Sequence, residues 1–356
     1  MRYKHKIFLI PIFIFVALIW QCTDKFDPGI TQVENGNGNI SDTVYIQQKP
    51  VWGGFNHPED MIIGKDGFLY ICDTGNDRIV MMDIAGHVLG YSKSIKHPTS
   101  ITQDYRKDLF ICAQFDTLIN SNNITYDAVY QIEMFPAGHV ISNANVIRLL
   151  PKTSFDFSKP DRKFTGICAF YDNSIYVARQ GNVNSGTSDP DNSIRVFRRD
   201  GFKDNDRLPF IEPEGTGLIS ANGITSLTAF QNRSYDMLVT LVGNNSFKVQ
   251  WLNYISSGIN EGKYSNRLDV STDMMRIGKF AKPEDACIDR SNNIYIADAE
   301  KDSVFKFNSF GDELESFGGS DIFDSPYAVA HFDRTLYVLD KNNNRIVRFI
   351  LSTETN

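Results

Sequence analysis

The stretch HPEDMIIGKDGFLYICDTGNDRIVMMDIAG, residues 57–86, decides the architecture, because the chain repeats it. KPEDACIDRSNNIYIADAEKDSVFKFNSFG occupies 282–311 and SPYAVAHFDRTLYVLDKNNNRIVRFI occupies 325–350. Each copy holds a proline-led apolar strand, a polar turn, a strand ending in YxxD, a short loop and a third strand. A period of roughly 40 residues with several short strands in each predicts radially stacked sheets, since one such sheet cannot bury both its faces alone.

Working outward from these copies, six blades can be laid out, opened by Pro58, Pro98, Phe164, Ala221, Pro283 and Pro326. Six second strands align at 69–73, 109–113, 175–179, 237–241, 294–298 and 336–340, rich in Ile, Val, Leu, Tyr and Phe. Such near-continuous apolar runs read as strands covered on both faces. The sixth blade has only three strands before the chain ends in STETN. Segment 43–52 is expected to supply the fourth, because its end, Val51-Trp52-Gly53-Gly54, parallels the blade-five sequence Ser316-Phe317-Gly318-Gly319. The reading is an all-β, six-bladed β-propeller over 43–351, closed by an N-terminal strand pairing with the last blade, which removes two bare edges.

The pattern resembles the NHL repeat, clearest at Asp66-Gly67, Tyr70, Asp73, Asn76, Arg78 and Ile79, and again at Tyr337, Asp340, Asn343, Arg345 and Ile346. Blades two, three and four depart from it, with Ala113, Arg179 and Thr240 where the repeat prefers Asp. The resemblance implies a ring that serves protein or RNA binding in some members and enzymatic chemistry in a few. It speaks to fold more than to activity.

Composition narrows the partners. The chain has 356 residues, 42% hydrophobic and 12% aromatic, enough for a large core, and a formal net charge of −7. An acidic body argues against nucleic acid, whose phosphates need a basic surface. The N-terminus reads as an export signal over residues 1–21, with a basic MRYKHK, an apolar run from Ile7 to Trp20, then Gln21-Cys22. The run is short for a membrane span of about 20 residues. Its terminal cysteine resembles the lipobox of bacterial lipoproteins, which implies acylation of Cys22. Residues 22–42, rich in Gly, Asn and Asp, then read as a flexible tether. The expected location is the cell envelope, as an outer-membrane lipoprotein, and the acids after Cys22 resemble a surface-export signal. Cys72, Cys112, Cys168 and Cys287 show no zinc spacing and occupy core places in their strands, so they are expected as buried free thiols.

The loops point to one face. Insertions at 114–126 and 180–192 and long connections at 150–163, 200–220 and 256–281 are expected beside the strand openers, and long loops on a rigid scaffold are where binding resides. The residue after each opener should ring the channel mouth: Glu59, Thr99, Thr165, Asn222, Glu284 and Tyr327, with Asp60 and Asp285 one step deeper and Arg179 and Gln180 beside them. Glu59, Asn222 and Glu284 form an oxygen-rich set of the kind a calcium ion accepts. Their type and blade order resemble the metal site of SMP-30/gluconolactonase propellers, although Glu284 stands where that family has Asp. His57 and His97 each precede an opener proline, and Asp189, Asp191 and Asn192 have acid spacing like part of a calcium loop; solvated loop residues account for both. No GxSxG, HExxH or glycine-rich phosphate loop occurs, and no catalytic residue is assigned.

Two functional classes follow. One is a membrane-tethered binding or scaffolding propeller, needing no cofactor, that recognises a glycan, peptide or partner protein on its looped face. The other is a calcium-dependent hydrolase or lyase of SMP-30/gluconolactonase type.

Overall fold

The computed structural model describes residues 45–197, 206–231, 234–267 and 273–352. The expected leader, Cys22, the tether and the first two residues of the closing segment lie outside them. Among the described residues no helix is long and apolar enough to cross a membrane.

Among the described residues twenty-four strands form six antiparallel four-stranded sheets arranged as a six-bladed β-propeller. The first strands of successive blades touch one another in turn, and the first strand of blade six meets that of blade one, so they line the axis. The second strands are Leu69–Asp73, Leu109–Ile119, Ile175–Gln180, Met237–Leu241, Ile294–Asp298 and Thr335–Asp340, each starting within one residue of expectation. Six apolar clusters hold the ring, one at each blade-to-blade seam. That placement explains why the second strands are apolar on both faces: each faces two neighbours.

Ring closure is as the sequence indicated. Tyr45–Trp52 pairs antiparallel with Arg345–Leu351, matching Tyr45 with Leu351 and Trp52 with Ile346. Trp52 packs with Met61, Leu69, Tyr337 and Leu339 in the seam between blades six and one. Tyr45 stacks on Phe317 of blade five at 4.9 Å. Gly86, at φ +97°, lies so close to the Trp52 indole that a Cβ there would come within 2.4 Å of the ring.

The YxxD motif also acquires a physical meaning. Asp73, Asp298 and Asp340 are fully buried at the ends of their strands. Asp73 accepts from the Asn56 amide through one oxygen (2.7 Å) and from Asn76 and Arg78 through the other (2.9 and 2.8 Å). Asp340 repeats this with the Asp324 amide, Asn343 and Arg345. Asp298 takes the amides of Ala281 and Lys282. Each carboxylate thus ties the chain entering a blade to the loop leaving its second strand, at a place where backbone N–H groups would otherwise lack partners. A second tie joins neighbours: Asp77, Asp302 and Asn344, all at positive φ, accept the amides of His97, Ser325 and His57 in the following blade. The last of these spans the ring closure.

Three expectations need correction. The first strand of blade four begins at Ile224 rather than at Ala221, because Asn222-Gly223 forms a turn with Gly223 at φ +73°. Residues 114–126 are largely strand: the second and third strands of blade two extend as a hairpin through Ile119 and Asn122, turned at Asn120-Ser121 with positive φ at both, as a tight hairpin requires. The connections at 200–220 and 256–281 contain the fourth strands of blades three and four, Asp206–Arg207 and Tyr264–Asn266. The turn before Tyr264 therefore sits on the face opposite the openers. Segment 150–163 carries a one-turn helix, Ser154–Phe157, started by a Thr153–Asp156 capping box. Cys72, Cys112, Cys168 and Cys287 are free, the first three buried and Cys287 partly so.

Trp52→Ala should lower unfolding stability by about 3–5 kcal/mol, the usual cost of emptying a packed aromatic site. Deleting residues 43–52 should cost more, since it bares two strand edges. Chemical denaturation of both variants checks the order, and wild-type midpoints would show that the N-terminal strand does not hold the ring.

Candidate functional site

The mouth of the channel is built by register. In blade five a bulge sets Pro283 opposite Asp298 and Asp285 opposite Ala297, which leaves Glu284 unpaired and facing the axis. Blades three, four and six repeat the bulge at Phe164–Gly166, Ile224–Ser226 and Pro326–Ala328. The residues it presents are Thr165, Thr225 and Tyr327. With Glu59, Thr99 and Glu284 they complete a six-membered ring around an open cavity of about 460 Å³. Thr225 stands where Asn222 was expected, displaced by the three-residue shift in blade four. The Asn222 amide lies outside the cavity, within 3.4 Å of the Glu214 carbonyl and of Asn192.

One side of the ring is charged but internally neutralised. Lys341 donates to Glu59 at 2.7 Å across the closure seam, and Lys282 pairs with Glu284 at 2.6 Å. The Tyr327 ring lies between the two ammonium groups, 3.9 Å from Lys341 and 5.6 Å from Lys282. Burial, with the nearby Glu284 and Glu59, pushes the Tyr327 phenol far up, so it stays protonated and able to donate. Burial also raises the Glu284 carboxyl against the pull of Lys282. The other side presents Thr99, Thr165, Thr225 and Gln114, with His97, Asp127 and Lys163 also lining it, and Asp127 accepts from the Gln114 side chain (3.1 Å) and the Phe164 amide (3.2 Å).

Below the ring the cavity narrows into an axial channel of about 150 Å³. Asp60, Ser100, Ser226 and Asp285 line both spaces. Asp60 accepts from the Ile101 amide of blade two (2.7 Å), and Asp285 from the Val329 amide of blade six (3.0 Å) and from the Ser226 hydroxyl (2.7 Å). These carboxylates satisfy edge amides of neighbouring first strands. Burial raises both, Asp60 to about 6 and Asp285 to about 8, the latter helped by the charge of Asp60.

The remaining candidates have structural partners. Arg179 is buried away from the mouth, bound to Asp189 Oδ1 (2.7 Å) and to the carbonyls of Pro190 and Asp191. It does for the blade-three insertion what the motif aspartate does elsewhere, helped by Arg162 on Asp189 and Asp191. This corrects its assignment to the ligand surface, and it explains the acid spacing at 189–192 as an ion-pair network. Gln180 lines the mouth, and its amide bridges the Ala221 carbonyl and the Gly223 amide. His97 lines the mouth and His57 does not.

The residues do not fit a calcium ion. Glu59 and Glu284 already face ammonium groups, and Asn222 is absent from the cavity, so the three expected ligands are not brought together. Among the described residues no cluster of three or more His, Cys, Asp or Glu side chains is arranged to hold a metal. Sequence reasoning missed Lys282, Lys341 and Thr225. The lysines flank the opener and the motif aspartate, places a repeat alignment records without showing that they turn inward.

No protein-family model matches the chain, and no curated protein matches it. Solved structures do. A gluconolactonase from Xanthomonas campestris aligns at TM-score 0.57 and 12% identity, over 84% of this chain and 88% of its own. An auxiliary nutrient binding protein from Bacteroides thetaiotaomicron aligns at TM-score 0.58 and 11% identity, over 84% of this chain and 70% of its own. A streptogramin B lyase aligns at TM-score 0.50 and 12% identity, over 86% and 98%. What they share is the fold. The propeller has both enzymatic and ligand-binding neighbours, and identities this low carry neither activity across.

The raised carboxyls set a pH dependence. Asp285 holds its proton more tightly folded, near 8, than its ordinary 3.8, so its stabilising contribution is complete in acid and is lost as pH rises through about 8; Asp60 acts likewise through about 6. The melting temperature should fall between pH 5 and about 9, and Asp285→Asn should flatten that fall. Melts across this range check it, and equal slopes for the two proteins would refute the assignment.

Proposed function

We propose that this protein is a non-catalytic binding propeller that takes a small polar solute, a sugar or a short peptide, at its channel mouth. The observation that carries the reading is the ring itself. A wall whose four charges are paired across Tyr327 faces Thr99, Thr165, Thr225 and Gln114, with Asp127 and Lys163 behind them. A ligand with both hydroxyl and carbonyl groups can hydrogen-bond to that ring without bringing a charge of its own, whereas a strongly anionic or cationic ligand would have to break a lysine–glutamate pair. The nutrient-binding neighbour supports the reading at the level of fold. The metal-assisted hydrolase lacks its ligand set in this ring.

The same proposal places the propeller at the membrane. The basic-apolar-cysteine start supports an acylated Cys22, residues 22–42 as tether and an NHL-like ring beyond, held at the outer membrane of the cell envelope.

Binding is tested with a panel of monosaccharides, disaccharides, dipeptides and tripeptides, followed by thermal shift and then calorimetry. At least one member should raise the melting temperature of wild type. Tyr327→Ala with Lys341→Ala should weaken its affinity at least about tenfold, a loss of some 1.4 kcal/mol. No shift from any member, or equal affinity in the double variant, would defeat the mouth as the site. A melting rise with calcium that Glu59→Gln removes would revive the metal reading.

Anchoring has its own check. Cys22→Ser should abolish incorporation of labelled fatty acid and release the protein from the membrane fraction. Unchanged fractionation, with no label on wild type, would contradict the anchor.

A further inference from the structure

A second recognition surface lies at the other ends of the blades. Between blades three and four the first-to-second-strand turn bearing Asp172, the end of the third strand at Tyr254 and the outer strand Asp206–Arg207 enclose an open groove of about 610 Å³. It shares no lining residue with the mouth and sits at the strand ends away from the openers.

Tyr235 and Tyr254 line the groove together with Tyr176, and Tyr171 and Tyr264 flank that pair outside the lining. Centroids lie 5.2 Å apart from Tyr171 to Tyr235, 4.9 Å from Tyr235 to Tyr254 and 5.5 Å from Tyr254 to Tyr264. The row is fixed from beneath: Tyr235 donates to Asp172 Oδ2 at 2.8 Å, Ser174 donates to Asp172 Oδ1 at 2.7 Å, and Tyr264 donates to the Tyr235 carbonyl at 2.8 Å. Burial alone would raise the Asp172 carboxyl, but these hydrogen bonds bring it below its usual range, so an acceptor stays ionised at the groove wall. Arg207 is exposed on the opposite wall.

Tyr264 belongs to the core between blades three and four, and Tyr235 and Tyr254 pack against the edge of that core. Tyr171 is 36% exposed, and Tyr235 and Tyr254 are partly open on a surface whose seam is already closed by Phe170, Tyr176, Leu252 and their neighbours. Aromatic rings held rigid at a groove, with two polar handles in the same space, are the makings of a ligand site. Rings with few rotamers to lose bind at small entropic cost. The ligand must present a flat, C–H-rich face to the rings and hydroxyls to a carboxylate and a guanidinium at its edge. A pyranose chain does both. A polyphosphate does not suit a groove bordered by Asp172 and Asp206.

We propose that this groove binds a neutral oligosaccharide, stacking successive sugar rings on Tyr235 and Tyr254 with Asp172 and Arg207 at their hydroxyls. The site is independent of the channel mouth and of whatever binds there.

The full-length protein in detergent is titrated calorimetrically with maltotetraose, cellotetraose, mannotetraose and chitotetraose. At least one should bind saturably. Tyr254→Ala should weaken it at least about tenfold, Arg207→Ala several-fold, and Tyr254→Phe should restore it, since the ring face is what binds. Tyr327→Ala, at the mouth, should leave the affinity unchanged. The proposal fails if none of the four tetrasaccharides saturates by about 10 mM, an affinity near −2.7 kcal/mol. It also fails if Tyr254→Ala binds as wild type while Tyr327→Ala does not, or if a proline-rich peptide occupies the groove and the sugars do not.

Discussion

A buried aspartate at the end of the second strand is the interaction on which the rest of the ring depends. Asp73, Asp298 and Asp340 each sit beyond the reach of water and are held there by two sets of donors, the incoming backbone on one side and the outgoing loop on the other. A buried carboxylate without such donors would cost several kcal/mol. With them it fixes the height at which the chain enters each first strand. In blades five and six the bulge that follows then turns the next side chain to the axis. Glu59, Glu284 and Tyr327, the charged wall of the mouth, all come from blades with this clasp.

Blades two, three and four lack the aspartate, and each replaces it differently. In blade two Ala113 passes into an extended hairpin and makes no clasp. In blade three Arg179 inverts the charge and gathers Asp189 and two carbonyls of the insertion. In blade four Thr240 bonds to Thr225 and to the Ser226 amide. These are the blades that present neutral threonines to the mouth and that carry the tyrosine groove between blades three and four. The asymmetry of the repeat is therefore an asymmetry of chemistry: three clasped blades give a charged, self-neutralised wall, and three divergent ones give hydroxyls and aromatic rings.

Much of the fold was legible because the motif is also its physics. Tyr70 bonds Asp66 of its own turn and Arg78 bonds Asp73, so the spacing that marks the repeat is the spacing of its contacts. Ring closure was legible from a missing strand and a repeated aromatic-Gly-Gly step. The site was less so. Ala221 resembled an opener by its place before a strand, yet the Asn222-Gly223 turn delays the strand, a tertiary effect of Gln180 reaching over from blade three. Arg179 was visible as an exception, but its partners lie within the insertion, where sequence gives no distances. The lysines were hidden for a simpler reason: a long side chain beside the mouth can point to solvent or to a glutamate, and only packing decides.

The central claim is that the clasp holds the mouth rigid enough to be a binding site, and hydrogen exchange on the intact protein reads it directly. The amides of Asn56, Ala281, Lys282 and Asp324, which lie in connections rather than strands, should exchange as slowly as strand amides, because each donates to a buried aspartate. In an Asp340→Asn variant the Asp324 amide alone should speed up. Exchange of all four at the rate of exposed loops would contradict the account.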